Sequence, residues 1–285
     1  TFRRKRENLR MRSPLILLSL AVLCGGSPYV GSRGQQAAPT NAPPTTTYPT
    51  TTIRPPGTTT FQPMVPFTLA VDLGGATDTV TFDCMRISGY SAVLVDVYDP
   101  ATRSPNLHAE NTIRLASQKG FTAEALHVPA PSFDANTQID QTVKALQAAG
   151  INVRMMWLQV TTDGGWSFDS ATNRLFIQTA LQRIWRYGIL AGIMSSQYDW
   201  DSLTAGMDEG LPNTPLWYIN VPSSDNFYDF TPFGPWTEPY AKKFRTNIGE
   251  CGLVNAGSSV ICKGMNCAPV QYSTQKTVNP SSVAY

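Results

Sequence analysis

From Phe67 to Met194 the chain repeats one pattern: a short apolar run, a helix-like segment with apolar residues on one face, then a glycine. Strand candidates are Phe67–Leu73, Ala92–Tyr98, Phe121–Val128, Ile151–Leu158 and Ile189–Met194. Between them lie helix candidates Asp78–Ser88, Asn106–Lys119, Asn136–Ala149 and Ser170–Tyr187, followed by Gly89, Gly120, Gly150 and Gly188. Glycine just past a helix takes the left-handed conformation that ends it. Alternating strands and helices dictate a parallel sheet, because only a crossover helix returns the chain to the same edge. Strands apolar on both faces, such as Ala92-Val93-Leu94-Val95, require cover on both sides. These features predict an α/β fold, an irregular (β/α) TIM-like barrel, with an open doubly wound sheet as the alternative. Leu216–Asn220 and Ala241–Arg245 are weaker strand candidates, and Ser195–Asp201 reads as a polar, aromatic loop walling a cleft. Val71-Asp72-Leu73-Gly74-Gly75-Ala76 lacks the third glycine of a dinucleotide fingerprint.

The flanks read differently. Residues 1–26 join a basic stretch (Arg3, Arg4, Lys5, Arg6, Arg10, Arg12), the apolar run Leu15–Cys24 and two glycines. That order is the layout of a secretory signal peptide, and Met11 reads as its start. Its ten apolar residues are too short a run for a spanning helix, which needs about 20. Within 27–66, ten threonines and eight prolines crowd Gln35–Pro66, with Arg54 the single charge. Such a segment buries too little to offset ordering and predicts a disordered, O-glycosylated stalk. A barrel over 67–262 and a flexible tail over 263–285 complete the expected organisation.

Removing residues 1–26 takes away six Arg/Lys and one Glu, so 22 basic and 20 acidic residues become 16 and 19, a net −3. No basic stripe then remains for nucleic acid, and no membrane partner is expected after cleavage. Four cysteines stay: Cys84, Cys251, Cys262 and Cys267. An even number in a secreted chain predicts disulfides, here Cys84–Cys251 and Cys262–Cys267 out of three possible pairings. Only His108 and His127 are present, so neither a metal site nor a cofactor is expected.

Four segments together carry a family resemblance: Ala70-Val71-Asp72; Phe82-Asp83-Cys84 with Gly89-Tyr90; Met156-Trp157-Leu158-Gln159-Val160-Thr161; and Leu216-Trp217-Tyr218 with Pro232-Phe233-Gly234-Pro235-Trp236-Thr237-Glu238-Pro239 and Cys251. Over Phe67–Ile261 the chain resembles the lysozyme-like glycoside hydrolases of family 25, in the form found in nematodes and some protists. The resemblance implies a (β/α) barrel acting on bacterial peptidoglycan, with carboxylates at the C-terminal strand ends. Asp72 matches the family's first-strand aspartate. Gln159 stands where the family has an aspartate, Thr161 where it has the proton-donating glutamate, and Val254–Ser258 offers no carboxylate where another is expected. An amide and a hydroxyl do not titrate near neutrality, so the expectation is a secreted, monomeric lysozyme-like protein, catalytically impaired, that binds peptidoglycan or a related glycan. A role in feeding or defence goes with the resemblance. A rerouted pair, Asp72 with Asp163 or Asp96, is the active alternative; a structural or partner-binding role is another. Tyr98, Trp217, Tyr218 and Trp236 are the expected sugar-stacking contacts.

Overall fold

The computed structural model describes residues 67–262. The signal peptide, stalk and tail expected from the sequence lie outside the described residues.

Strands β1 (Phe67–Leu73) and β2 (Tyr90–Asp99) pair in parallel around helix α1 (Thr79–Ile87). A two-residue strand, β3 (Ser104–Pro105), folds back on β2 before α2 (Ala109–Gln118) and β4 (Thr122–His127). Then come α3 (Ala135–Ala148), β5 (Met155–Gln159), α4 (Ser170–Arg186), β6 (Leu190–Ser195), α5 (Gln197–Thr204) and β7 (Leu216–Ile219). β8 (Ala241–Ile248) follows without a helix and turns back into β9 (Ala256–Cys262). The strand order is β1-β9-β8-β7-β6-β5-β4-β2-β3, and β1 also pairs with β2. That added pairing closes every strand except β3 into an eight-stranded barrel and excludes the open sheet. Within the barrel two pairings break the parallel rule: β9 runs antiparallel to both β8 and β1. Among the described residues no helix is long and apolar enough to cross a membrane.

Side chains alternate between two cores, as strand geometry demands. Ala92 and Leu94 enter the barrel lumen with Ala70, Leu126, Trp157, Met194 and Trp217. Val93 and Val95 point outward and pack with Phe82, Ile113, Ile139, Ile177 and Leu181 of the surrounding helices. Four of the helices carry side-chain caps: Asp78 accepts from the Thr81 amide at 2.8 Å, Asp134 from Thr137 at 2.7 Å, Asp169 from Thr172 at 3.0 Å and Ser196 from Asp199 at 3.0 Å. Gly89, Gly120, Gly150 and Gly188 all have positive φ, as a helix-terminating glycine should.

Three expectations need correction. The segment expected to be a loop over Ser195–Asp201 is the end of β6 followed by α5, because Ser196 caps a helix there. The fourth strand starts at Met155, not Ile151: the Ile151 amide bonds Leu146 O at 2.8 Å and so completes the end of α3. The residues before Ala109 are not helical, since Asn106 instead donates its side-chain amide to Gly74 O at 2.9 Å. Sequence periodicity also missed β9, whose Gly257-Ser258-Ser259 stretch has little apolar content.

Candidate active site at the barrel mouth

The C-terminal ends of the parallel strands form one mouth, and the inward-facing positions there are polar. Asp72 follows Ala70 by one strand period on the lumen side of β1. Its Oδ2 accepts from Lys243 Nζ of β8 at 2.8 Å, and both side chains are mostly buried. Asp72 Oδ1 is buried without a partner among the described residues. Asp96 lies on the neighbouring strand β2, following Leu94 by the same period. Burial and the negative charge of Asp72 push its carboxyl up to about 7, while Lys243 pulls it down. Two glycines make this packing possible. A Cβ on Gly74 would sit 2.6 Å from Asp96 Oδ2, and one on Gly257 would sit 2.6 Å from Asp72 Oδ1.

Gln159 ends β5, and its Nε2 donates to Thr161 Oγ1 at 3.0 Å. Thr161 in turn donates to Asp163 Oδ1 at 2.6 Å. Asp163 lies in a single 3-10 turn, Thr162–Gly164. The chain Gln159–Thr161–Asp163 therefore ties the strand end to its own turn. Thr162 is held in addition by Asp199 of α5, which accepts from its amide at 2.9 Å and its hydroxyl at 2.8 Å. Of the two carboxylates considered as substitutes, the fold brings Asp96 into electrostatic contact with Asp72. Asp163 instead serves its local turn.

The aromatic candidates separate. Tyr98 is 1% exposed, stacked on His127 at 4.7 Å between centroids, and its hydroxyl has no partner among the described residues. It lines a cleft of about 490 Å³ that also includes Gly74, Asp96 and Pro105. Trp217, expected to stack on a sugar, lies inside the lumen at 1% exposure. It meets the edge of Trp157 and donates to Ser259 Oγ at 3.1 Å. Tyr218, one residue on, points outward and packs on Phe230. Trp236 is also buried, against Trp200 and Phe233, with its indole N–H on Thr214 O at 2.8 Å. Core packing accounts for the positions of these three rings.

The disulfide Cys84–Cys251 joins α1 to the turn between β8 and β9, as expected. Cys262 is also disulfide-bonded, and its expected partner, Cys267, lies outside the described residues. Among the described residues no group of His, Cys, Asp and Glu could hold a metal ion. His127 is buried, bonded to Gln138 and Thr142 of α3, and burial brings its pKa down to about 4.

The residue that sequence reasoning missed is Lys243. A signal was present: Lys242 and Lys243 are adjacent in a strand, so they must face opposite sides. Lys242, fully buried, points outward to Asp229 and the carbonyls of Ser224 and Asn226. Lys243 points inward to Asp72. Glu124 was missed as well. It is a part-buried lumen carboxyl, bonded by the Trp157 and Tyr240 side chains and pushed up by burial.

A family profile described as Lysozyme-like protein 1 matches residues 64–244, most of the described barrel. The chain belongs to the lysozyme-like protein family. Lysozyme-like protein 7 of Caenorhabditis elegans is 32% identical over 197 residues, covering 66% of this chain and 70% of the relative. Probable GH family 25 lysozyme 5 of Dictyostelium discoideum is 28% identical over 190 residues, covering 65% of this chain and 87% of that protein. A family GH25 lysozyme from Aspergillus fumigatus superposes with a TM-score of 0.55 at 14% identity, over 70% of this chain and 96% of that one. At that identity the likeness speaks for the barrel alone. Within this lysozyme-like barrel, the mouth holds a carboxylate–ammonium pair and a second, electrostatically coupled carboxyl.

Proposed function

We propose that this is a secreted lysozyme-like protein that binds peptidoglycan or a related glycan at the barrel mouth and has lost the acid chemistry of a muramidase. One observation carries the reading. At the end of β5 an amide and a hydroxyl, Gln159 and Thr161, hydrogen-bond to one another and to Asp163. Neither side chain can protonate a leaving oxygen, a step worth roughly 10²–10⁴-fold. The ion pair of Lys243 with Asp72 supports the same reading, because it neutralises the carboxylate that would face a developing oxocarbenium charge. The family relationship supports the ligand class.

A second reading has its own support. Asp96, pushed up to about 7 beside an ion-paired Asp72, has the divided environments that separate an acid from a base. A rerouted glycosidase would use that pair.

Muropeptide release from purified peptidoglycan separates the two. The wild type is expected to bind the polymer and release nothing above background. The Gln159→Asp/Thr161→Glu double variant is expected to gain measurable release. Release by the wild type that disappears in both Asp72→Ala and Asp96→Asn would replace the first reading with the second.

A further inference from the structure

The turn between β8 and β9 forms one wall of a pocket of about 160 Å³ beside Asp72. Gly252, Leu253 and Val254 line it from the turn, and Asp72, Ala76 and Thr81 line it from β1 and the start of α1. A covalent bond joins the two walls. Cys84 lies one helical turn beyond Thr81, and Cys251 directly precedes Gly252.

The turn is weakly built apart from that bond. Asn247, Cys251, Gly252 and Asn255 all have positive φ. Glycine and asparagine take that region readily, but crowding at Cβ makes it unfavourable for most other residues. Cys251, at φ 59° and ψ 23°, therefore needs a restraint, and its bond to Cys84 supplies one. The other ties are slight. Tyr90 donates to Glu250 Oε2 at 3.2 Å, and the exposed Arg245–Glu250 contact is 3.5 Å long. The Leu253 amide bonds Glu250 O within the turn itself, and the Leu253 side chain packs in part against the outer core. Gly252, Val254 and Asn255 are exposed. Cys84 and Cys251 are both part-exposed, with the exposed Ser88 hydroxyl 3.8 Å from Cys251 Sγ, so the bond lies at the surface where a thiol can attack it. Cys262, by contrast, ends β9 at the far end of the barrel, paired with Phe67.

We propose that Cys84–Cys251 is a redox latch on the glycan site, closed when oxidised and opened by a dithiol reductant. This rests on the glycan-binding reading and adds the regulation of that same mouth. With the bond formed, the turn stands as an ordered wall beside Asp72. A thiolate of the reductant attacks one sulfur, forming a mixed disulfide and freeing the other cysteine. The reductant's second thiol then displaces the first cysteine and closes the reductant's own disulfide. Two electrons and two protons pass to the protein, which ends with two thiols. Cys251 can then leave its left-handed conformation, and the wall moves between closed and open positions. The closed wall is the one that meets the ligand, so the apparent affinity falls by the fraction of time it is closed. The strand pairings of the barrel persist in both states.

Peptidoglycan sedimentation and hydrogen exchange, with and without dithiothreitol, test this on the full chain carrying Cys262→Ser and Cys267→Ser. Dithiothreitol is expected to weaken binding to purified peptidoglycan about tenfold, the effect of a wall closed about one-tenth of the time. Reoxidation should restore it. Exchange should quicken at residues 249–255 and 74–77 and stay unchanged in β4, β5 and β6. Adding Cys84→Ser and Cys251→Ser should reproduce the reduced protein and remove the response to dithiothreitol. Equal affinity in the two redox states overturns the latch, as does a response that survives the loss of both cysteines. Loss of protection throughout the barrel overturns it as well, because the bond would then hold the fold and not the wall. If neither state binds peptidoglycan the glycan reading fails, and the latch is then decided by exchange alone: confined to the turn and residues 74–77 it stands, and unchanged it falls.

Discussion

At the scale of single residues the mouth is governed by three charges in a confined space. Lys243 and Asp72 form a mostly buried pair, and such pairs reveal their importance when one partner is removed. Lys243→Met leaves Asp72 buried and uncompensated, so a loss of about 3–5 kcal/mol in urea unfolding is expected. Asp96 behaves oppositely. Its folded pKa of about 7 lies above that of an unfolded aspartate, so the folded state holds its proton more tightly. That contribution is fully present below about pH 4 and is lost as pH rises through about 7. Asp96→Asn should therefore be more stable than the wild type at pH 8 by a few kcal/mol, since each tenfold difference in proton affinity between the folded and unfolded states is worth about 1.4 kcal/mol. The gap should close toward pH 4, and urea midpoints across that range measure it. Asp72 and Asp96 were both legible as strand-end carboxylates. The sequence offered Asp96 and Asp163 alike as partners of Asp72; the choice between them was not legible, because it depends on the approach of β1 to β2 and on two glycines without side chains.

At the scale of elements, the parallel β/α units carry the strongest local signals: one apolar helix face, a cap before it and a glycine after it. Those units matched the sequence reading to within a few residues, apart from α5 and the residues before α2. After β7 only β8 was foreseen, as the weaker candidate Ala241–Arg245. There the chain abandons crossover helices for the antiparallel pair β8–β9, and β9 is built partly of small polar residues that periodicity cannot find. The Cys84–Cys251 bond ties this atypical closing element to α1 across 167 positions of sequence. Cys84→Ser is expected to cost about 2–5 kcal/mol in thermal or urea unfolding. Most of the sequence between the two cysteines lies in the helical units, so the loss should appear as global destabilisation.

For the whole molecule, His127 and Asp96 set opposing pH trends, and Glu124, also raised by burial, acts in the same sense as Asp96. His127 is buried neutral, its pKa lowered to about 4, so the stability it allows is present above about pH 6.5 and lost as pH falls toward 4. Asp96 loses stability as pH rises over nearly the same interval. The wild type is therefore expected to show a weaker pH dependence between about pH 4 and 6.5 than His127 alone would give, the two trends opposing each other. Asp96→Asn should unmask the histidine limb, with stability falling by about 3 kcal/mol from pH 6.5 to 4. A profile that stays flat in this variant would show that burial of His127 does not control its protonation.

The amino-acid sequence by itself determined the alternation of strands and helices, the helix ends, the two-sided burial of the strands and the absence of carboxylates at 159 and 161. All of these are properties of neighbours a few residues apart, where backbone sterics, capping and side-chain period act. Barrel closure, the inward turn of Trp217, the outward turn of Tyr218 and the pairing of Asp72 with a lysine 171 positions away were decided by tertiary structure. The physical reason is that a strand's alternation states only that neighbouring side chains face opposite ways. Which way is inside, and what waits there, is settled when the last strand meets the first.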